Sequence, residues 1–113
     1  MSAARKYVYL YTGGAAVPKD VTHVRVDESV TIIPDRAFMD CIYLQEVELP
    51  DGILIIGRGA FLWCKSLTGI NIPSTVREIG LSAFNYCEKL EEVALPNGLQ
   101  ILGEMAFCWC KSL

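Results

Sequence analysis

A chain of 113 residues and 12.5 kDa has room for one domain. Hydrophobic residues make up 52% and charged residues 20%, which is enough to bury a core and too apolar for a disordered tail. A net charge of −3, from 10 Lys+Arg against 13 Asp+Glu, excludes the basic stripe that grips a duplex, and no 18-residue stretch is both apolar and uncharged, so neither nucleic acid nor membrane is expected as a partner.

At the N-terminus, Arg5 and Lys6 precede Tyr7-Val8-Tyr9-Leu10-Tyr11-Thr12, a run that stops at Gly13-Gly14. A secretory h-region needs roughly 7–15 apolar residues, so this tyrosine-rich run is too short and too polar. No N-x-[ST] sequon follows Asn71, Asn85 or Asn97. Both features favour an intracellular location. Residues 1–20 read as a capping strand and a linker through Val17-Pro18, covering an N-terminal edge that would otherwise expose unpaired backbone groups.

From residue 21 onward one period governs the chain. Val21–Val26 reads as a first strand, and Val24 and Val26 recur 23 residues later as Val47 and Leu49. Cys41, Cys64, Cys87 and Cys110 keep the same step, as do Phe38, Phe61, Phe84 and Phe107 with their preceding alanines. So do Leu44, Leu67, Leu90 and Leu113, and then Pro50, Pro73 and Pro96, with Asp27 in the proline's place in the first copy. Leu44-x-x-Val47-x-Leu49 alternates as a short strand with one face buried, and the proline ends it for want of an N–H. A second apolar pair then turns inward (Ile53 and Ile56, Val76 and Ile79, Leu99 and Leu102). Gly57, Gly80 and Gly103 follow at a tight turn, with Pro34 in the first copy. The Ala-Phe-x-x-Cys stretch predicts a short helical segment, with Asp35 or Ser82 at its start.

A 23-residue unit cannot close a core alone; stacked copies with parallel strands bury the Leu, Val/Ile, Phe and Cys columns continuously. The expected fold is an α/β, right-handed solenoid. Its parallel sheet lies on the concave face, and short helical turns lie on the convex side. Residues 21–113 hold a partial first repeat and three full repeats, the last incomplete.

The pattern L-x-x-I-x-I-P-x-x-V-x-x-I-G-x-x-A-F-x-x-C-x-x-L resembles the BspA-like (treponemal-type) leucine-rich repeats, and Leu67 to Leu90 matches it almost letter for letter. The opening, through VPKDVTHVRVD, is further similar to the expanded leucine-rich-repeat proteins of diatoms. The resemblance implies a ligand- or protein-binding scaffold.

Chemistry-bearing motifs are weak. The in-register cysteines read as small buried hydrophobes, and Cys108-Trp109-Cys110 is too tight for a zinc knuckle and lacks a second ligand pair. His23, the one histidine, reads as a solvated surface residue with no nucleophile at a matching position. No phosphate-loop, dinucleotide or G-x-S-x-G pattern occurs. The expectation is therefore a non-catalytic module with no cofactor and no metal site.

Two surfaces remain as candidates for binding. Outward strand positions hold Gln45, Glu46 and Glu48, then Thr68 and Asn71, then Glu91 and Glu92, with Asp51 at a strand exit. They form either a solvated face or an acidic patch for a basic protein partner. Trp63, Tyr86 and Trp109 precede successive cysteines on the outer side, either packing between turns or forming a ladder that docks a partner. The alternative function is a structural or truncated solenoid segment that associates end to end through an uncapped C-terminal edge, where Lys111-Ser112-Leu113 stops at the start of the next strand.

Overall fold

The computed structural model describes residues 7–14 and 16–113. Arg5 and Lys6, and with them most of the stretch before the first strand, lie outside the described residues. Seven short strands follow in chain order: β1 (Val8–Tyr11), β2 (His23–Val26), β3 (Ile32–Ile33), β4 (Glu46–Glu48), β5 (Ile55–Ile56), β6 (Glu78–Ile79) and β7 (Ile101–Leu102). All pairings are parallel. One sheet runs β1-β2-β4, and a bridge between Gly69 and Glu92 carries the same ladder on through later laps. The other runs β3-β5-β6-β7. The first step, from β1 to β2, is 15 residues; from β2 onward register advances by 23, so that Val24 faces Val47, and Ile33, Ile56, Ile79 and Leu102 succeed one another. The second member of each apolar pair after the proline (Ile56, Ile79 and Leu102) thus belongs to a second sheet, where the sequence suggested only an inward turn.

Each proline opens that passage. The carbonyls of Pro50, Pro73 and Pro96 accept the N–H three residues on, from Ile53, Val76 and Leu99. Asp27 does the same for Val30. Its carboxylate also accepts the Ser29 hydroxyl and N–H, which hold its pKa below the usual carboxylate value.

The outer side is not helical. Arg36, Gly59, Ser82 and Met105 have positive φ, and so do Asp40, Trp63, Tyr86 and Trp109, two left-handed residues in every lap. Each flips a peptide plane, so alternate N–H groups serve different partners. The Ala37, Met39 and Cys41 N–H groups close turns onto Pro34, Arg36 and Phe38, whereas those of Arg36, Phe38 and Asp40 reach Arg58, Ala60 and Leu62 of the next lap. A helix would spend every N–H within its own lap. Stacked turns use half of them to bind lap to lap. Asp35 and Ser82 accordingly cap no helix: the Asp35 carboxylate accepts the Arg58 N–H one lap on, and Ser82 is itself left-handed.

The glycine column has a different cause from a tight turn. A Cβ at Gly80 would stand 2.7 Å from the Arg58 nitrogen and 2.8 Å from the Gly57 carbonyl carbon, and one at Gly103 would stand 2.4 Å from the Leu81 nitrogen. Adjacent backbones approach too closely there for any side chain.

The core is a set of columns. Phe38, Phe61 and Phe84 are fully buried. Their rings stack at 5.2 and 5.1 Å, Phe107 adds a further ring at 5.2 Å, and Tyr11 meets Phe38 edge-on at 5.1 Å. These spacings follow from a lap rise close to the roughly 4.8 Å strand separation. Beside them, the Cys64, Cys87 and Cys110 thiols donate to the carbonyls of Phe38, Phe61 and Phe84 one lap back, at 3.2, 3.2 and 3.1 Å.

Candidate binding faces

The outward side chains of the first sheet line an open trough of about 790 Å³. Gln45, Glu46, Glu48, Thr68, Asn71, Glu91 and Glu92 all border it. Parallel pairing puts them there: residues 23 apart share a column, and alternate residues of a strand share a face. Asp51 does not border the trough; it sits exposed in the turn after the strand.

Charge is unevenly spread along this face. Register places His23 beside Glu46 and Arg25 beside Glu48. The Arg25 guanidinium donates to the Glu48 carboxylate at 2.8 Å, and His23 Nε2 lies 3.8 Å from Glu46. Two of the acids therefore already face a basic group of the preceding lap. The middle lap offers Thr68, Gly69 and Asn71, all neutral. Glu91 and Glu92 are exposed and make no ion pair among the described residues. The pairing partners Arg25 and His23 were missed at the sequence level, although the 23-residue step from 25 to 48 and from 23 to 46 points to both. His23 is also no solvated surface group. Its side chain is only 12% exposed, and Nδ1 lies 3.0 Å from the Thr22 hydroxyl.

The aromatic residues occupy the turn side, apart from the trough. Trp63 and Tyr86 stack with centroids 4.1 Å apart and planes within 2°, and Trp109 continues the pile at 6.0 Å. The Lys65 ammonium stands 5.2 Å over the Trp63 ring. Trp63 and Tyr86 are half-buried; Trp109 is exposed. Stacking turns ring faces towards one another, so the ladder shows mainly edges to the outside.

The cysteine column is chemically quiet. Burial pushes the Cys87 thiol up to about 12 and raises Cys41, Cys64 and Cys110 as well, which keeps these groups protonated and poorly nucleophilic. Among the described residues no three His, Cys, Asp or Glu side chains converge as a metal would require. No helix among them is long and apolar enough to cross a membrane.

Parallel strands advancing 23 residues per lap, a continuous Leu/Phe/Cys core and a polar strand face define a leucine-rich-repeat module. A family model described as a BspA type leucine rich repeat region matches residues 18–113 in six copies, and the chain belongs to that family. Several solved structures are similar, these three among them. A leucine-rich repeat protein from Bacteroides ovatus shares 35% identity over 82% of this chain and 24% of its own, with a TM-score of 0.79. A leucine rich repeat protein of T. pallidum shares 39% over 82% of this chain and 44% of its own, at 0.81. A leucine rich cell surface protein from Faecalibacterium prausnitzii shares 31% over 94% of this chain and 30% of its own, at 0.82. The chain thus spans less than half the length of each. No curated protein matches it.

Proposed function

We propose that this chain is a non-catalytic protein-binding module whose trough receives a basic partner, with Glu91 and Glu92 as the residues that meet its cations. The observation that carries this reading is the unequal pairing of the acids. Glu48 is paired with the Arg25 guanidinium and Glu46 lies 3.8 Å from the His23 imidazole, whereas Glu91 and Glu92 have no such neighbour among the described residues. A preformed face held by parallel pairing docks a partner with little rearrangement.

Fluorescence anisotropy with labelled hexalysine at low salt tests it. Glu91→Gln with Glu92→Gln should weaken binding at least about tenfold, against a smaller effect of Glu46→Gln with Glu48→Gln, and the affinity should fall as salt rises. Equal binding by the Glu91/Glu92 double variant and the unaltered protein would sink the proposal.

A further inference from the structure

The second sheet carries an outward row quite unlike that of the trough. Its columns are in register as Ile32, Ile55, Glu78 and Ile101, where the trough presents Glu, Gln, Thr and Asn. Ile32 and Ile101 are 49% and 53% exposed, and Leu81 is 40% exposed on the other side of the glycine column. Isolated surface aliphatics need no explanation, but three isoleucines in one row, broken only by Glu78, do. Gly57, Gly80 and Gly103 are glycines because the laps nearly touch there, and for the same reason they leave a lengthwise valley without side chains. It encloses about 390 Å³. One wall is Ile55, Glu78 and Ile101; the other is Asp35, Arg58 and Leu81.

We propose that this valley seats an extended aliphatic peptide strand carrying one basic side chain, which pairs with Glu78. Glu78 is half-buried between two isoleucines and makes no ion pair among the described residues. A lysine or arginine laid along the wall puts its methylene stem on Ile55 or Ile101 and its charge on the carboxylate one lap away. Three lap steps of about 4.8 Å separate the Asp35 and Ile101 laps, roughly 14 Å, which four or five residues span at about 3.3 Å each. A second copy of this chain is a poorer occupant, because its own row of Ile32, Ile55, Glu78 and Ile101 carries no basic side chain to meet Glu78. The valley does not border the trough, so the proposal stands apart from the basic partner assigned there.

The test is an amide NMR titration of the intact chain with the capped pentapeptide Val-Leu-Lys-Ile-Val, and with the same peptide carrying Glu for Lys. Saturable shifts are expected at the amides of Glu78, Gly80, Leu81 and Ile101, with at least tenfold weaker binding of the Glu peptide. Glu78→Gln should weaken the Lys peptide about tenfold, and Glu92→Gln in the trough should leave its affinity unchanged. Ile101→Ser should also weaken it, and it sits on the exposed rim where folding is spared. The proposal is overturned if the two peptides bind alike, if Glu78→Gln has no effect, or if shifts map to the trough. It is also overturned by absence of saturation, or by valley shifts that follow protein concentration alone, the mark of a second copy.

Discussion

Gly69 and Gly80 show how differently one residue type serves this fold. Gly80 sits where two backbones nearly touch, and both atoms its Cβ would strike at under 3 Å are main-chain, so neither can swing aside. Gly80→Ala should destabilise the protein by about 2–3 kcal/mol, as overpacking does where the neighbour cannot yield. Gly69 has nothing within 4 Å of its Cβ position and no left-handed backbone. Gly69→Ala should therefore stabilise by about 0.4–1 kcal/mol through reduced freedom of the unfolded chain. Urea denaturation of both variants checks the pair. The sequence shows the Gly57, Gly80 and Gly103 column at once; the reason for it appears only when laps are set side by side.

Stacked turns, not helices, form the outer side of each lap, and the sequence misled here for a physical reason. An alanine, a phenylalanine and a cysteine spaced as Ala83, Phe84 and Cys87 share one face in a helix, and equally when one left-handed residue precedes the alanine and another precedes the cysteine. Side-chain spacing does not report the sign of φ. Gly59 is the one glycine in its column, at φ 57°, while Ser82 holds the same place at φ 55°. Gly59→Ala should cost about 1 kcal/mol and Ser82→Gly should return up to about that amount, because a Cβ is disfavoured in this conformation. Thermal melts of the two variants should move in opposite directions. Trp63 and Tyr86 sit in the companion left-handed column. Their mutual stacking at 4.1 Å offsets part of that local cost.

Across the whole molecule the laps are held by columns that run its length, so their chemistry shows in global stability. Thiols that burial keeps protonated bind their protons more tightly folded than unfolded. Their contribution is complete below the ordinary thiol value of about 9 and is lost as pH rises above it, since the unfolded chain releases the protons first. Each such thiol should remove about 2 kcal/mol between pH 9 and pH 11, so Cys64 and Cys87 together remove about 4 kcal/mol. Urea denaturation under reductant at pH 7, 9 and 11 measures the loss. Replacing both residues by alanine should flatten the pH slope, and a slope equal to that of the unaltered protein would contradict the thiol origin.

The 23-residue period, the parallel strands, the buried Leu, Phe and Cys columns and the outward polar row all follow from the order of residues, because each is a repetition and repetition is local information. Three-dimensional packing alone decided the rest. It closed in the His23 side chain, which strand alternation alone would leave to solvent. It bent the outer stretches into left-handed turns and opened a valley over the glycines. Those outcomes depend on which groups of one lap meet which groups of the next, and on how closely two backbones can approach.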